Sequence, residues 1–186
     1  MQKRQPLTKL LPAALICAAV LSPAGAAETK NEITVAVAST FTTMDPWNAT
    51  DTLSQAVAKS FYEGLFKFDR AMNVVPSLAE SAESSPDGMQ HVVHLRRGVK
   101  FHDGTTFTAE AVKANFDRIT TPGSTLKRFF LFENVASLKE LDPYTVRFTL
   151  KRPNSAFINR LAHPSAVMIC PKSLSEKEVS IAFHPC

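Results

Sequence analysis

Three histidines, His91, His94 and His102, lie close together in the sequence, and imidazole clusters are what a transition metal would need. The run 90–95 reads as a strand, where successive side chains alternate faces. His91 and His94 then point to opposite faces and do not chelate together. They are expected to be ordinary surface histidines, with no metal site. Arg128, in Leu126-Lys127-Arg128-Phe129-Phe130, could grip a carboxylate through two parallel hydrogen bonds. A solvated surface arginine is the plainer reading and the favoured one. Trp47 could stack on a ligand or fill a core, and the sequence does not choose. There is no nucleophile elbow, no glycine-rich phosphate loop and no His-Glu-x-x-His pair. Neither an enzyme nor a bound cofactor is expected.

The elements that must position these groups begin after a segment of another kind. Lys3, Arg4 and Lys9 precede an apolar run from Leu10 to Leu21, and Ala24 and Ala26 then supply small residues in an A-x-A pattern. This is the pattern of a cleavable secretory leader over residues 1–26, too short for a spanning helix of about 20 apolar residues. Ile16 before Cys17 argues against a lipid anchor. The leader holds three of the 21 basic residues and no acid, which leaves 18 basic against 17 acidic residues. A mature chain so balanced offers no basic patch for nucleic acid. Cys170 and Cys186 remain. An oxidising compartment permits a disulfide between them, but two cysteines near one end are no framework, and they are expected unpaired.

Of the 186 residues, 45% are hydrophobic and thirteen are Phe, enough for a core. Residues 33–38, a β-branched run, read as a buried strand. Asp51 is placed to cap a helix over 52–62, and 65–68 reads as a short strand. Turns are expected at 69–73 and at Pro86-Asp87-Gly88. Strand 90–95 follows, then a helix over 107–119 with Thr108 as its cap candidate. Its apolar stripe is Val112, Phe116 and Ile119. Pro122-Gly123 breaks the chain. Strands are expected at 135–138 and 145–150 across Asp142-Pro143, then a helix at 155–161 and a strand at 167–169. This is a mixed α and β pattern (α+β or mixed α/β) without the regular alternation of a doubly wound nucleotide fold.

One stretch is specific. It runs Leu78-Ala79-Glu80-Ser81, Pro86-Asp87-Gly88, then Leu95-Arg96-Arg97-Gly98-Val99-Lys100-Phe101-His102-Asp103-Gly104, and closes on Phe107-Thr108-Ala109-Glu110-Ala111-Val112. It resembles the signature of the family 5 solute-binding proteins, which bind dipeptides, oligopeptides, nickel and glutathione for ABC importers. Thr43-Met44-Asp45-Pro46 and Phe61-Tyr62-Glu63-Gly64-Leu65-Phe66 fit the same pattern. The wording is nearest to the glutathione binders in residues 51–62, 126–128, 155–159 and 161–164. Arg96 and Arg97 belong to the signature and are expected to serve structure.

The resemblance implies a periplasmic binding protein-like type II fold (cluster C), of which this chain holds the N-terminal part. It implies lobe I beginning over 27–64, an inserted second domain over 65–170, and a return toward lobe I over 171–186. It implies glutathione or a short peptide as ligand, an ABC permease and ATPase as partners, a periplasmic monomer, and no catalysis. Phe41, Thr42, Thr43 and Asp45 would lie on the ligand-facing loop, with Arg128 as a carboxylate contact. The alternative for that loop is a plain turn set by Asp45-Pro46. The similarity stops at Phe183-His184-Pro185-Cys186, so a frameshifted or prematurely ended fragment, impaired or without ligand binding, is expected.

Overall fold

A computed structural model describes residues 34–175. The chain divides into two units, residues 1–36 and 37–186. Of the first, only residues 34–36 are described, and they form neither helix nor strand. The expected leader, Cys186 and the motif at 183–186 lie outside the described residues.

The second unit is organised by a four-stranded antiparallel sheet. In spatial order it runs β3 (Ala79–Ser84), β4 (Gln90–Leu95), β6 (Thr145–Leu150) and β5 (Val135–Asp142). A separate hairpin pairs β1 (Phe66–Phe68) with β2 (Val74–Pro76). The strands β4 and β6 are where the sequence places them, because each alternates along the pleat. His91, Val93 and Leu95 face inward from β4, and Val146, Phe148 and Leu150 from β6. The register sets His91 opposite Phe148 and Val93 opposite Val146. By contrast β3 reads Ala-Glu-Ser-Ala-Glu-Ser and lacks the β-branched side chains that mark a strand. It is a strand because β4 holds it, with Ala82 opposite Val93.

Helix α1 (Thr52–Ala58) starts at the expected cap, where the Asp51 carboxylate accepts from the Ser54 N–H at 2.7 Å. It ends sooner than the expected 62, in a turn. Helix α2 (Ala109–Thr120) follows Thr108, whose side chain makes no capping bond. Its inward face carries Val112, Phe116 and Ile119, as their spacing requires. Phe116 sits edge-on to Trp47, Phe132 and Phe148, with ring centroids 5.9, 5.1 and 4.8 Å away. Trp47 is therefore a core residue, fully buried. Two short helices, α3 (Phe157–Leu161) and α4 (Pro171–Ser175), close the described chain.

Two expected strands do not form. Residues 34–38 carry no strand, and Val35 and Val37 are 73% and 53% exposed. Among the described residues no strand pairs with this run, and β-branched side chains make a strand only against a partner surface. Residues 167–169 make an isolated bridge from Val167 to Gly64. The neighbouring backbone is satisfied otherwise: Asn115 on α2 donates to the Ile169 carbonyl at 2.7 Å and accepts from its N–H at 2.9 Å. A side-chain amide thus occupies both groups a sheet ladder would use. The expectation of unpaired cysteines also fails, since Cys170 is disulfide-bonded. It sits 2% exposed on the core, where sequence spacing says nothing of which thiols come within bonding distance.

Candidate functional site

The loop from Phe41 to Ala49 is organised by its own short polar side chains. The Ser54 hydroxyl, on α1, accepts from the backbone N–H of Thr42 at 2.8 Å and of Thr43 at 3.3 Å. The Thr42 hydroxyl donates to the Asp51 carboxylate at 2.6 Å. That bond, and then the Ser54 N–H, hold the Asp51 carboxyl down at about 2. Thr43 accepts from the Asp45 N–H through its hydroxyl oxygen at 3.0 Å. Its own hydroxyl proton has no acceptor among the described residues. Thr42 is exposed, and Phe41 and Thr43 are half-buried.

Asp45 is placed differently. It is 1% exposed, and its carboxylate accepts from the Trp47 N–H at 3.1 Å and the Asn48 amide at 2.8 Å. Arg118 of α2 adds a two-pronged contact at 3.2 and 2.7 Å. The fork–fork geometry is the one a guanidinium makes best with a carboxylate. Asp45 therefore ties the loop to α2, and Arg118, which no motif flags, is its partner. Nearby, the buried Tyr62 hydroxyl has no hydrogen-bond partner among the described residues. Burial, and then the Asp45 charge, push its pKa up.

Arg128 approaches the same loop from the other side. Its backbone N–H donates to the Trp47 carbonyl at 3.0 Å, and its Nε to the Ala49 carbonyl at 2.9 Å. It is half-buried and anchored, not the solvated arginine favoured above. Its two terminal NH₂ groups have no partner among the described residues. Beyond it lies His163, whose Nδ1 accepts from the Ser165 N–H at 3.1 Å. Burial, then the charges of Arg128 and Lys59, keep this imidazole below its ordinary pKa. Two cavities, of about 340 and 320 Å³, share Lys59, Tyr62 and Glu63 as a common wall. Phe61, Phe101 and Phe107 line the first, and Phe66, Phe68 and His163 the second.

The three clustered histidines do part company, as strand alternation requires, but not all are surface residues. His91 is fully buried. Its ring lies 4.9 Å from that of Phe157, and Nδ1 is 2.8 Å from the Ser84 hydroxyl. The correction follows from the pleat: position 91 shares the inward face with Val93 and Leu95. His94 is partly exposed beside Glu83, and His102 sits on the Phe61 carbonyl at 3.2 Å. Among the described residues no three His, Cys, Asp or Glu side chains gather to hold a metal. Arg96 donates to the Ser77 carbonyl at 3.0 Å, and Arg97 lies 4.5 Å over the Tyr144 ring. Both serve structure.

The described residues form an α/β unit whose polar loop is locked to a helix, and sequence comparison places it. The family described as bacterial extracellular solute-binding proteins, family 5 Middle, matches residues 73–180. The chain belongs to this family. It is similar to the glutathione-binding protein GsiB of Escherichia coli O1:K1 / APEC, with 55% identity over 154 residues, or 83% of this chain and 30% of that protein. The chain thus spans about a third of the length of the curated relatives it matches. The periplasmic binding protein AgaA from A. tumefacien R10, solved in complex with agropinic acid, superposes with a TM-score of 0.67. It is 34% identical, over 70% of this chain and 26% of that one. AppA of Bacillus subtilis, solved with a nonapeptide, gives a TM-score of 0.65 at 30% identity, over 69% of this chain and 25% of that one. These neighbours are type II periplasmic binding proteins, so the mixed α/β class and the expected fold hold. Among the described residues no helix is long and apolar enough to cross a membrane.

Proposed function

We propose that this chain is the N-terminal portion of the solute-binding component of an ABC importer, acting in the periplasm on glutathione or a short peptide. The observation that carries the reading is the 55% identity to a glutathione-binding protein over 83% of this chain. The loop geometry supports it. Phe41, Thr42 and Thr43 are the side chains that Asp45, Asp51 and Ser54 leave at or near the surface. A peptide-like ligand carries carbonyls for the free Thr43 hydroxyl proton and carboxylates for Arg128. In this reading the protein binds and delivers, and a permease and ATPase do the transport. It is a monomer and not an enzyme. Residues 27–64 open the first lobe, 65–170 form the inserted domain, and 171–186 return toward the first lobe.

The test is calorimetric titration of the purified chain with reduced glutathione, beside a full-length glutathione-binding relative. Saturable binding at one site, weakened by Thr43→Val, is the expected result. If the relative binds and this chain gives neither heat nor amide shifts in residues 41–49, the reading fails for this chain.

A further inference from the structure

We propose that Cys170 is bonded to Cys186, and that this disulfide straps residues 181–186 across the mouth of the 340 Å³ cavity lined by Phe61, Phe101 and Phe107, so that a thiol reductant opens it. The inference is independent of which solute the chain carries.

The first ground is the bond. Cys170 is disulfide-bonded, and the other cysteines of the chain are Cys17 and Cys186. Cys170 belongs to the unit of residues 37–186, which contains Cys186, whereas Cys17 belongs to the unit of residues 1–36. Cys186 stands sixteen residues after Cys170, and Cys17 stands 153 residues before it. The entropy lost on closing a loop rises with its length, so the shorter loop closes at lower cost.

The second ground is the place of the anchor. Cys170 itself lines the cavity, and its backbone is held on both sides. Before it, Asn115 satisfies Ile169 in both directions. After it, the Cys170 carbonyl accepts from the Leu174 N–H at 3.2 Å as α4 begins. A segment bonded to this sulfur is therefore delivered to a fixed point on the cavity wall.

The third ground is fit. The cavity leaves apolar surface open to water, since Phe61 is 43% exposed and Phe101 half-buried. Before Cys186 the sequence runs Ile181-Ala182-Phe183-His184-Pro185. An extended chain spans about 3.5 Å per residue, so Phe183 lies within roughly 10 Å of Cys186 and reaches the aromatic wall. Covering that wall with Ile181 and Phe183 removes apolar surface from water. Glu176 and Glu178 precede this run, and Lys59 and Lys100 outnumber Glu63 among the charged residues of the wall, so the charges match as well.

Opening is a thiol–disulfide exchange. Cys170 is 2% exposed, so the thiolate of a small dithiol attacks the Cys186 sulfur and forms a mixed disulfide there. The Cys170 sulfur leaves with the bonding pair and takes a proton. The second thiolate of the reductant then attacks its own bonded sulfur, and Cys186 leaves as a thiolate that is protonated in turn. Two electrons pass to the protein, and the reductant ends as its own disulfide.

The experiment starts with peptide mapping of the full chain, alkylated without reduction. A peptide pair linked through Cys170 and Cys186 is expected. A Cys17–Cys170 link, or Cys170 recovered alkylated, overturns the pairing. Amide spectra are then compared with and without dithiothreitol. Reduction is expected to shift the amides of Phe61, Phe101 and His102, and reoxidation to restore them. Cys186→Ser should give the reduced spectrum with no reductant present. Phe183→Ser keeps the disulfide, so it reads the contact even where reduction unfolds the chain, and it should move the same three amides. Shifts confined to residues 169–175 on reduction overturn the strap and leave the bond a local staple. Unmoved amides at Phe61, Phe101 and His102 in Phe183→Ser, with the linked peptide present, overturn it too.

Discussion

Arg118 holds Asp45 by both guanidinium prongs, at 3.2 and 2.7 Å, across 73 residues of sequence. Asp45 is 1% exposed and the Arg118 side chain 14%. Removing one partner strands a charge in the interior, which costs about 3–5 kcal/mol. Asp45→Ala and Arg118→Met are each expected to destabilise by that amount in urea unfolding. The double variant should lose less than the sum, because it strands nothing. An additive double variant would mean that the two residues act separately.

Asn115 is the second long-range lock. Its amide satisfies Ile169 in both directions and also donates to the Ala111 carbonyl at 2.9 Å. Asn115→Leu keeps the volume and leaves two buried backbone groups without partners, at about 1–3 kcal/mol each. The expected outcome is a loss of about 3 kcal/mol, with amide exchange at Ile169 accelerated before that of β4. Unchanged protection at Ile169 would show that another group holds the segment.

The two locks mark where the sequence stops being readable. Capping by Asp51, the face of α2 and the strands β4 and β6 follow from local patterns, and the structure keeps them. Turn residues were equally legible: Gly88 does take φ +66°. What local pattern does not encode is the partner. Thr42, Thr43 and Asp45 sit together in sequence, yet Asp45 turns inward because Arg118 meets it. Residues 34–38 have the composition of a strand, and among the described residues no strand pairs with them. His163 and Lys59 carry no motif, and only the fold puts them on one cavity. His91 is legible in its alternation but not in its burial, because a polar side chain at an inward position of the pleat reads from sequence as a surface one.

Burial keeps His91 below its ordinary pKa, against a smaller opposing effect of the Gly88 backbone. Its Nε2 is buried without a partner among the described residues. His163 is shifted the same way. The unfolded chain therefore binds protons near pH 6.5 that the native chain refuses. Stability is fully present above that pH and is lost as the pH falls from about 6.5 toward the folded values. One such site contributes a slope of at most about 1.4 kcal/mol per pH unit. Urea midpoints measured from pH 8 to 5 should decline, and His91→Gln should flatten part of the decline. A variant with the wild-type slope would assign the effect elsewhere.

Gly64 sits where two backbone segments meet it closely. A Cβ there would lie 2.9 Å from the Phe66 carbonyl oxygen and 3.0 Å from that of Ala166. Both are main-chain atoms, so neither can swing aside as a flexible side chain would. Gly64 also pairs with Val167 in an isolated bridge, and its carbonyl accepts from the Leu78 N–H at 3.1 Å. Overpacking of this kind costs about 1–3 kcal/mol. Gly64→Ala should therefore lower stability by about 2 kcal/mol. It should also displace the 161–168 segment that packs against it, which amide chemical shifts at Ala166 and Val167 would report. If Gly64→Ala melts like the wild type, the approach of residues 64 and 166 is looser than these distances, and the wall between the two cavities is not fixed by this contact.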